Sequence, residues 1–104
     1  LNTAQFAFKN AVNLFSDNNL NEAIEQLYEI LKTHPNHENA LDLLGIIFIK
    51  QNKLEEALNV VNKSIKLVKN NKKYLDIKYK LLIYKGDNNN AFDCLKLLHK
   101  KYQS

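Results

Sequence analysis

Three alanines recur at a fixed interval along the chain and constrain its fold more than any other feature. Ala23, Ala57 and Ala91 are each thirty-four residues apart. Each alanine follows a cluster of turn-forming residues, and an apolar pattern of helical period flanks each cluster on both sides. A fixed period of this length is typical of architectures in which one supersecondary unit is stacked several times. The period therefore predicts three stacked units within the 104 residues.

The turn clusters divide each unit into two helices. Short connections between helices favour antiparallel hairpins. Asn19 with Glu22 is typical of a capping box at the start of the second helix, and Pro35 separates that helix from the third. The predicted helices span residues 3–16, 20–33, 37–50, 54–69, 72–85 and 89–102.

The residues that carry the period resemble the tetratricopeptide repeat, whose pattern is W-x2-L-G-x2-Y, then A-x3-F, then P. The middle unit matches this pattern at Leu41, Leu44, Gly45, Phe48, Ala57 and Val61. The first unit keeps Ala11, Leu14, Ala23, Leu27 and Pro35, and the third keeps Leu75, Leu82, Ala91 and Leu95. The resemblance implies an all-α fold, a right-handed α-solenoid of three antiparallel helix hairpins. It also implies a single domain over 1–104, with repeats at about 4–37, 38–71 and 72–104.

Close packing explains why the repeat positions need small residues. Ala11, Gly45, Ala23, Ala57 and Ala91 would let paired helices approach while larger side chains fill the gaps. The third unit departs from the pattern, because Lys78 and Tyr79 replace the Leu-Gly pair. We therefore expect Tyr79 to widen the third hairpin or to displace a neighbour.

The sequence carries no pattern that predicts an enzyme, a cofactor or a metal site. Two glycines and one proline leave no Gly-rich loop for a phosphate. His34 and His37 with Glu38 superficially suggest a metal site, but a solvated turn between repeats explains them better. Cys94 and His99 lie five residues apart on one helix and point in different directions, which excludes a local nucleophile–base pair.

Resemblance to the family implies that a partner binds along the first helices of successive units. The function that follows is a non-enzymatic scaffold that binds a peptide or an amphipathic helix in an apolar groove. The competing interpretation is that these side chains pack among themselves in a tightly curved superhelix. The predicted groove residues are Phe8, Val12, Phe15, Asp42, Leu43, Ile46, Ile49, Lys50, Lys73, Asp76, Ile77, Lys80, Ile83 and Tyr84.

Two subclasses of the family fit this groove poorly. Members that bind chaperones clamp a peptide carboxylate with Lys and Asn, whereas only Lys73 matches that arrangement here. Members linked to sugar-transferring enzymes carry a ladder of Asn, and Lys9, Leu43 and Ile77 occupy those places. The phrase 34–49 is similar to bacterial repeats attached to transferases, so a regulatory segment of a larger enzyme remains an alternative.

The charge is unevenly distributed and suggests a second alternative, a nucleic-acid-binding helical repeat. Residues 1–52 hold three lysines against six acids, and residues 53–104 hold twelve lysines against five acids. The complete absence of Arg argues against nucleic acid, because Arg supplies the bidentate contacts to phosphate and guanine. A solvated lysine face is the plainer interpretation.

The last predicted helix presents Phe92, Leu95, Leu98 and Tyr102 at helical spacing. Repeat arrays usually end in a polar cap, so we expect self-association through this helix or continuation of the native protein beyond Ser104. The longest apolar run, 43–49, is too short to cross a bilayer. The single cysteine permits a reducing compartment, and the cytoplasm is the expected location.

Overall fold

The computed structural model describes residues 3–69 and 71–102, apart from the side chain of Tyr102. Six α-helices follow one another in this part of the chain. They are α1 (Thr3–Ser16), α2 (Leu20–Thr33), α3 (Glu38–Lys50), α4 (Leu54–Leu67), α5 (Lys72–Lys85) and α6 (Asn88–Tyr102). Each predicted helix is confirmed, with bounds that agree within two residues.

The three hairpin turns share one backbone conformation. Asn18, Asn52 and Gly86 have φ values of 63°, 58° and 88°, in the left-handed region, and are each thirty-four residues apart. In every turn the next residue donates its backbone N–H to a carbonyl five residues earlier, as Lys53 does to Phe48 at 2.8 Å. Glycine and asparagine tolerate this conformation best, which is why these residue types end the first helix of each hairpin.

The helix starts differ from the capping box that the sequence suggests. The side chain of Asn19 makes no capping hydrogen bond, so the predicted capping box is wrong; its backbone φ of −87° and ψ of 68° are not the extended cap geometry. His37 caps α3 instead, because its Nδ1 accepts a hydrogen bond from the Ala40 N–H at 3.1 Å. Asn71 caps α5 in the same manner through the Lys73 N–H at 3.1 Å.

The core runs along the whole stack. Each helix packs against its hairpin partner, and α2 packs on α3 as α4 packs on α5. The aligned alanines are at its centre: Ala11, Ala23 and Ala57 are fully buried, and Ala91 is 1% exposed. Tyr79 is half-buried against this core, and α5 packs on both α4 and α6.

Gly45 occupies one of the predicted small-residue positions, and the structure leaves room there for alanine as well. A Cβ atom placed on Gly45 would lie 4.0 Å from Val60 Cγ1, which is an ordinary van der Waals distance. Close approach of α3 and α4 therefore does not require glycine here.

None of the helices in the described ranges is long and apolar enough to cross a membrane.

Candidate functional site

A pocket of about 190 Å³ lies between α3 and α5, with α4 forming its floor. Ile46 and Ile49 of α3 line one wall, and Ile77 of α5 lines the other. Ile46 is 50% exposed and Ile49 is 44% exposed, so both offer apolar surface to a ligand. The floor comes from Gly45, Val60, Val61 and Ser64. Five predicted groove residues meet in this pocket: Asp42, Ile46, Ile49, Lys73 and Ile77.

The polar end of the pocket is a bridge between α3 and α5. The Lys73 Nζ lies 2.8 Å from Asp42 Oδ2, and the Tyr74 hydroxyl donates to Asp42 Oδ1 at 2.9 Å. Nearby, the Asn71 amide donates to Glu38 Oε1 at 3.2 Å. The Asp42 carboxylate thus accepts hydrogen bonds from two side chains of the third hairpin. Lys73 is therefore already paired with a carboxylate of its own chain. A peptide carboxylate would have to displace Asp42, which further disfavours a carboxylate clamp.

Tyr74 holds the two helices apart. Its repeat position is that of Ala40 in α3, thirty-four residues earlier, so a full aromatic ring replaces a methyl group. The ring is only 2% exposed and lines the pocket beside Asp42. No Cα atom of α3 lies within 8 Å of one in α5. Burial, followed by the hydrogen bond to Asp42 and the charge of Asp42, raises the pKa of Tyr74 well above its ordinary value.

The junction between α1 and α3 is closed by aromatic packing. Here Cα atoms of the two helices do approach within 8 Å. The ring centroids of Phe8 and His37 are 5.6 Å apart, and the Lys50 Nζ lies 5.3 Å from the centre of the Phe15 ring. Phe8, Val12 and Phe15 are partly buried against the core. These three predicted groove residues therefore form a wall at this end and offer less free surface than Ile46.

The remaining predicted groove residues lie around the pocket rather than in it. Leu43 is only 8% exposed and belongs to the core cluster, so it contributes support and little accessible surface. Ile83 and Tyr84 are 47% and 71% exposed farther along α5. Lys80 Nζ lies 3.4 Å from Asp76 Oδ2 on the same helix.

The histidine cluster and the cysteine take up structural roles. His34 Nδ1 lies 2.8 Å from Thr33 Oγ1, while His37 caps a helix as described above. Among the described residues, no group of three His, Cys, Asp or Glu side chains is arranged to hold a metal ion. Cys94 is 4% exposed, and burial raises the pKa of its thiol, which keeps it protonated at neutral pH.

Sequence reasoning missed Tyr74 and a second pocket. Tyr74 could have been found by comparing repeat positions, since Ala40 is its equivalent. The second pocket, of about 360 Å³, lies between α2 and α4 and includes Tyr28, Leu31 and Leu67. It opens between the second helices of the first two hairpins. The predicted groove residues all lie on first helices, so their pattern does not indicate this pocket.

Stacked antiparallel helical hairpins joined by short turns define an α-helical repeat protein. The tetratricopeptide repeat family matches the chain over residues 14–81, and the chain belongs to this family. Tetratricopeptide repeats generally mediate protein–protein interaction and are typically non-enzymatic scaffolds.

Comparison with solved structures supports the same fold. Forty-two chains match significantly. One of them, described as the MamA RS-1 ArsTM double mutant, superposes with a TM-score of 0.81 at 18% sequence identity. The similarity covers 98% of this chain and 57% of the MamA chain. No curated protein matches the sequence significantly.

Proposed function

We propose that the groove between α3 and α5 binds a peptide or an amphipathic helix of a protein partner. The observation that carries this proposal is the pocket in which Ile46, Ile49 and Ile77 converge. Two of these isoleucines, Ile46 and Ile49, keep about half of their surface exposed. Exposed apolar side chains that gather in one concave site mark an interaction surface.

The size of the pocket favours a side-chain anchor over a small-molecule ligand. Pockets for drug-sized ligands have volumes of roughly 300–1,000 Å³, whereas this pocket has about 190 Å³. A single large apolar side chain fits such a space. Amphipathic helices bind grooves by inserting apolar anchors spaced three and four residues apart, and the exposed Ile83 and Tyr84 extend the apolar surface along α5.

The charges around the groove are mostly paired within the protein. Lys73 pairs with Asp42, and Lys80 with Asp76. We therefore expect partner binding to depend only weakly on salt, because apolar burial is little affected by modest ionic strength. The same pairing counts against nucleic acid, whose binding would fall steeply with salt as counterions are released.

The test is a pair of variants on α3. Ile46→Glu places a charge in the groove and should leave a cooperative fold while removing the partner. Leu44 is 1% exposed, so Leu44→Ala should destabilise the fold by about 2–5 kcal/mol. Tyr28→Glu is the matched control, because Tyr28 is 44% exposed but lies in the pocket between α2 and α4.

Thermal unfolding and affinity capture from the source cell provide the readouts. A protein retained by the wild type and by Tyr28→Glu, but lost with Ile46→Glu, supports the groove. If Ile46→Glu unfolds the chain as badly as Leu44→Ala, Ile46 is a core residue and the assignment is wrong. If the variant stays folded and still captures the same protein, the partner uses another face.

A further inference from the structure

The second pocket, of about 360 Å³, opens between the second helices of the first two hairpins. No Cα atom of α2 lies within 8 Å of one in α4, so α3 forms the floor of the space between them. Leu41 and Leu44 on this floor are 2% and 1% exposed, and Val60 on the α4 side is 7% exposed. The base of the pocket is therefore part of the apolar core.

The pocket does not depend on where the chain begins or ends. It lies between the first and second hairpins. A hairpin added in the repeat geometry would pack on α1, or on α5 and α6, as the existing hairpins pack on their neighbours. A further hairpin at either end would thus leave the space between α2 and α4 open.

The equivalent space between α4 and α6 is polar. Lys78 holds the repeat position of Leu44 and lines a pocket there. Lys101 holds the repeat position of Leu67 and lines another. An apolar pocket between second helices is therefore particular to the first junction and is not a general result of stacking these hairpins.

Four polar side chains line the pocket beside its apolar floor: Tyr28, Glu56, Asn59 and Lys63. Within the described part of the chain, none of the four makes a side-chain hydrogen bond or an ion pair. Lys63 thus differs from Lys73, whose charge is paired with Asp42. Its ammonium group is available to a ligand.

Tyr28 and Lys63 border the pocket at nearly the same level. Tyr28 holds in α2 the repeat position that Asn62 holds in α4, and Lys63 is the next residue of α4. Leu67 lies four residues beyond Lys63, about 6 Å along the helix axis at 1.5 Å per residue. Leu31 and Leu67 line the pocket from its two sides. A hydroxyl and an ammonium group therefore stand next to an apolar end of the pocket.

This arrangement fits a ligand with one carboxylate and an aliphatic chain. Lys63 supplies one positive charge and Tyr28 one hydroxyl donor, which together suit a single carboxylate. Glu56 lies seven residues before Lys63, about 10 Å along α4, and disfavours a second negative charge at that end. The volume of about 360 Å³ falls within the range of roughly 300–1,000 Å³ typical of small-molecule sites.

We propose that the pocket between α2 and α4 is a second binding site, which takes a medium-chain aliphatic monocarboxylate. The carboxylate lies at Lys63 and Tyr28, and the aliphatic chain extends over Leu41 towards Leu67. The site and the groove between α3 and α5 share only Leu41 and Val60, which are buried beneath both. The two sites can therefore be tested separately.

Octanoate is the probe, and amide chemical shifts of the isotope-labelled chain both measure and locate its binding. Saturable shifts should centre on Tyr28 and Lys63 and should be absent at Ile46 and Ile77. Octanoate should bind about fifteenfold more tightly than hexanoate, because each buried methylene contributes a factor of about four. Shifts confined to the groove, or no saturable binding at millimolar concentration, would overturn the proposal.

Octanol and a pair of lysine variants test the role of charge. Octanol should bind about tenfold more weakly than octanoate, and Lys63→Gln should weaken octanoate about tenfold while leaving octanol unchanged. Lys66→Gln is the matched control, because Lys66 is also exposed on α4 but lies outside this pocket. Equal binding of octanoate and octanol, or an equal loss in both variants, would show that Lys63 does not hold the carboxylate.

Leu67→Ser tests the apolar end of the pocket. Leu67 is the last residue of α4 and is 38% exposed, so the variant should remain folded. It should weaken octanoate and octanol alike, since both bury the same chain. Circular dichroism checks the fold, and Leu67→Ala is the milder replacement. Unchanged binding of both ligands in a folded variant would contradict the proposed path of the chain.

The variants that test the groove also separate the two sites. Tyr28→Glu puts a carboxylate beside the bound carboxylate and should abolish octanoate binding, while the partner of the groove is still captured. Ile46→Glu should have the opposite pattern. Loss of octanoate binding with Ile46→Glu but not with Tyr28→Glu would assign octanoate to the groove and overturn the proposal.

Discussion

The junction of α1 with α3 and the junction of α3 with α5 connect equivalent helices by different chemistry. At the first, aromatic rings of Phe8 and Phe15 close the space and the backbones approach each other. At the second, Tyr74 separates the backbones, and Asp42 collects donors from Tyr74 and Lys73. Side chains fill the space between α1 and α3, whereas the space between α3 and α5 is an open pocket crossed by side-chain hydrogen bonds. A larger residue at one repeat position, Tyr74 in place of Ala40, thus accompanies an open pocket between hairpins.

Removing the ring of Tyr74 should have the largest effect. Tyr74→Ala deletes a side chain that is 2% exposed and should lower the free energy of unfolding by about 3–5 kcal/mol. Phe8→Ala is the matched change at the closed junction and should cost less, because Phe8 is only partly buried. Denaturant unfolding of both variants measures the difference. An equal or larger loss for Phe8→Ala would contradict the idea that the two junctions differ in this way.

Removing only the hydroxyl should have a smaller effect. Tyr74→Phe keeps the aromatic ring between the helices but removes one of the two hydrogen-bond donors to Asp42. It should lower the free energy of unfolding by about 1.5 kcal/mol. A double-mutant cycle with Asp42→Ala isolates the pair. If Tyr74→Phe costs as much in the Asp42→Ala background as in the wild type, the hydrogen bond at 2.9 Å contributes nothing to stability.

Filling the floor of the pocket should raise stability slightly. Gly45→Ala adds a Cβ at an ordinary distance from Val60 and should stabilise α3 by roughly 0.5–1 kcal/mol. Because Gly45 lines the pocket, the same change should weaken partner capture. Thermal melts combined with the capture experiment separate the two effects. A lower melting temperature would mean that α3 and α4 do need glycine at their contact.

Alkaline pH should weaken the bridged junction selectively. The pKa of Tyr74 is raised above its ordinary 10.0, mainly by burial. The folded state therefore favours the neutral phenol, and this contribution is fully present below pH 10 and is lost as pH rises further. Wild type should lose more stability than Tyr74→Phe above pH 10, although lysines titrate in both. Parallel loss in the two proteins would show that Tyr74 does not titrate differently on folding.

The fold was predictable because the turns are encoded locally. Asn18, Asn52 and Gly86 take the left-handed conformation at the ends of the three first helices, and residue types that tolerate it are recognisable in a sequence. Helix caps were less predictable. The Asn19 side chain makes no capping hydrogen bond, whereas His37, which the sequence suggested as a metal ligand, caps α3. Whether a side chain caps a helix depends on backbone angles that a motif does not fix.

The sequence indicates which residues share one face of a helix, but not how the neighbouring helices pack around that face. Helical spacing grouped Ile46, Ile49 and Ile77, and these three side chains line one pocket in the structure. It also included Leu43, whose burial depends on how tightly neighbouring helices pack. The bridge between Asp42 and Tyr74 joins residues 32 apart, and nothing in the helical period of a single helix indicates a contact between hairpins.

Packing that reaches only neighbouring helices has a consequence for unfolding. Apart from the approach of α1 to α3 and the side-chain bridge between α3 and α5, the helices of the described chain pack on those beside them in sequence. Stability is then approximately a sum of unit and nearest-neighbour terms, and the chain need not unfold in one step. Fully buried Leu41, Leu44 and Ile47 all belong to α3, so amide hydrogens of the middle hairpin should exchange most slowly. Exchange should be fastest in α6, and the protein should lose its structure progressively from that end.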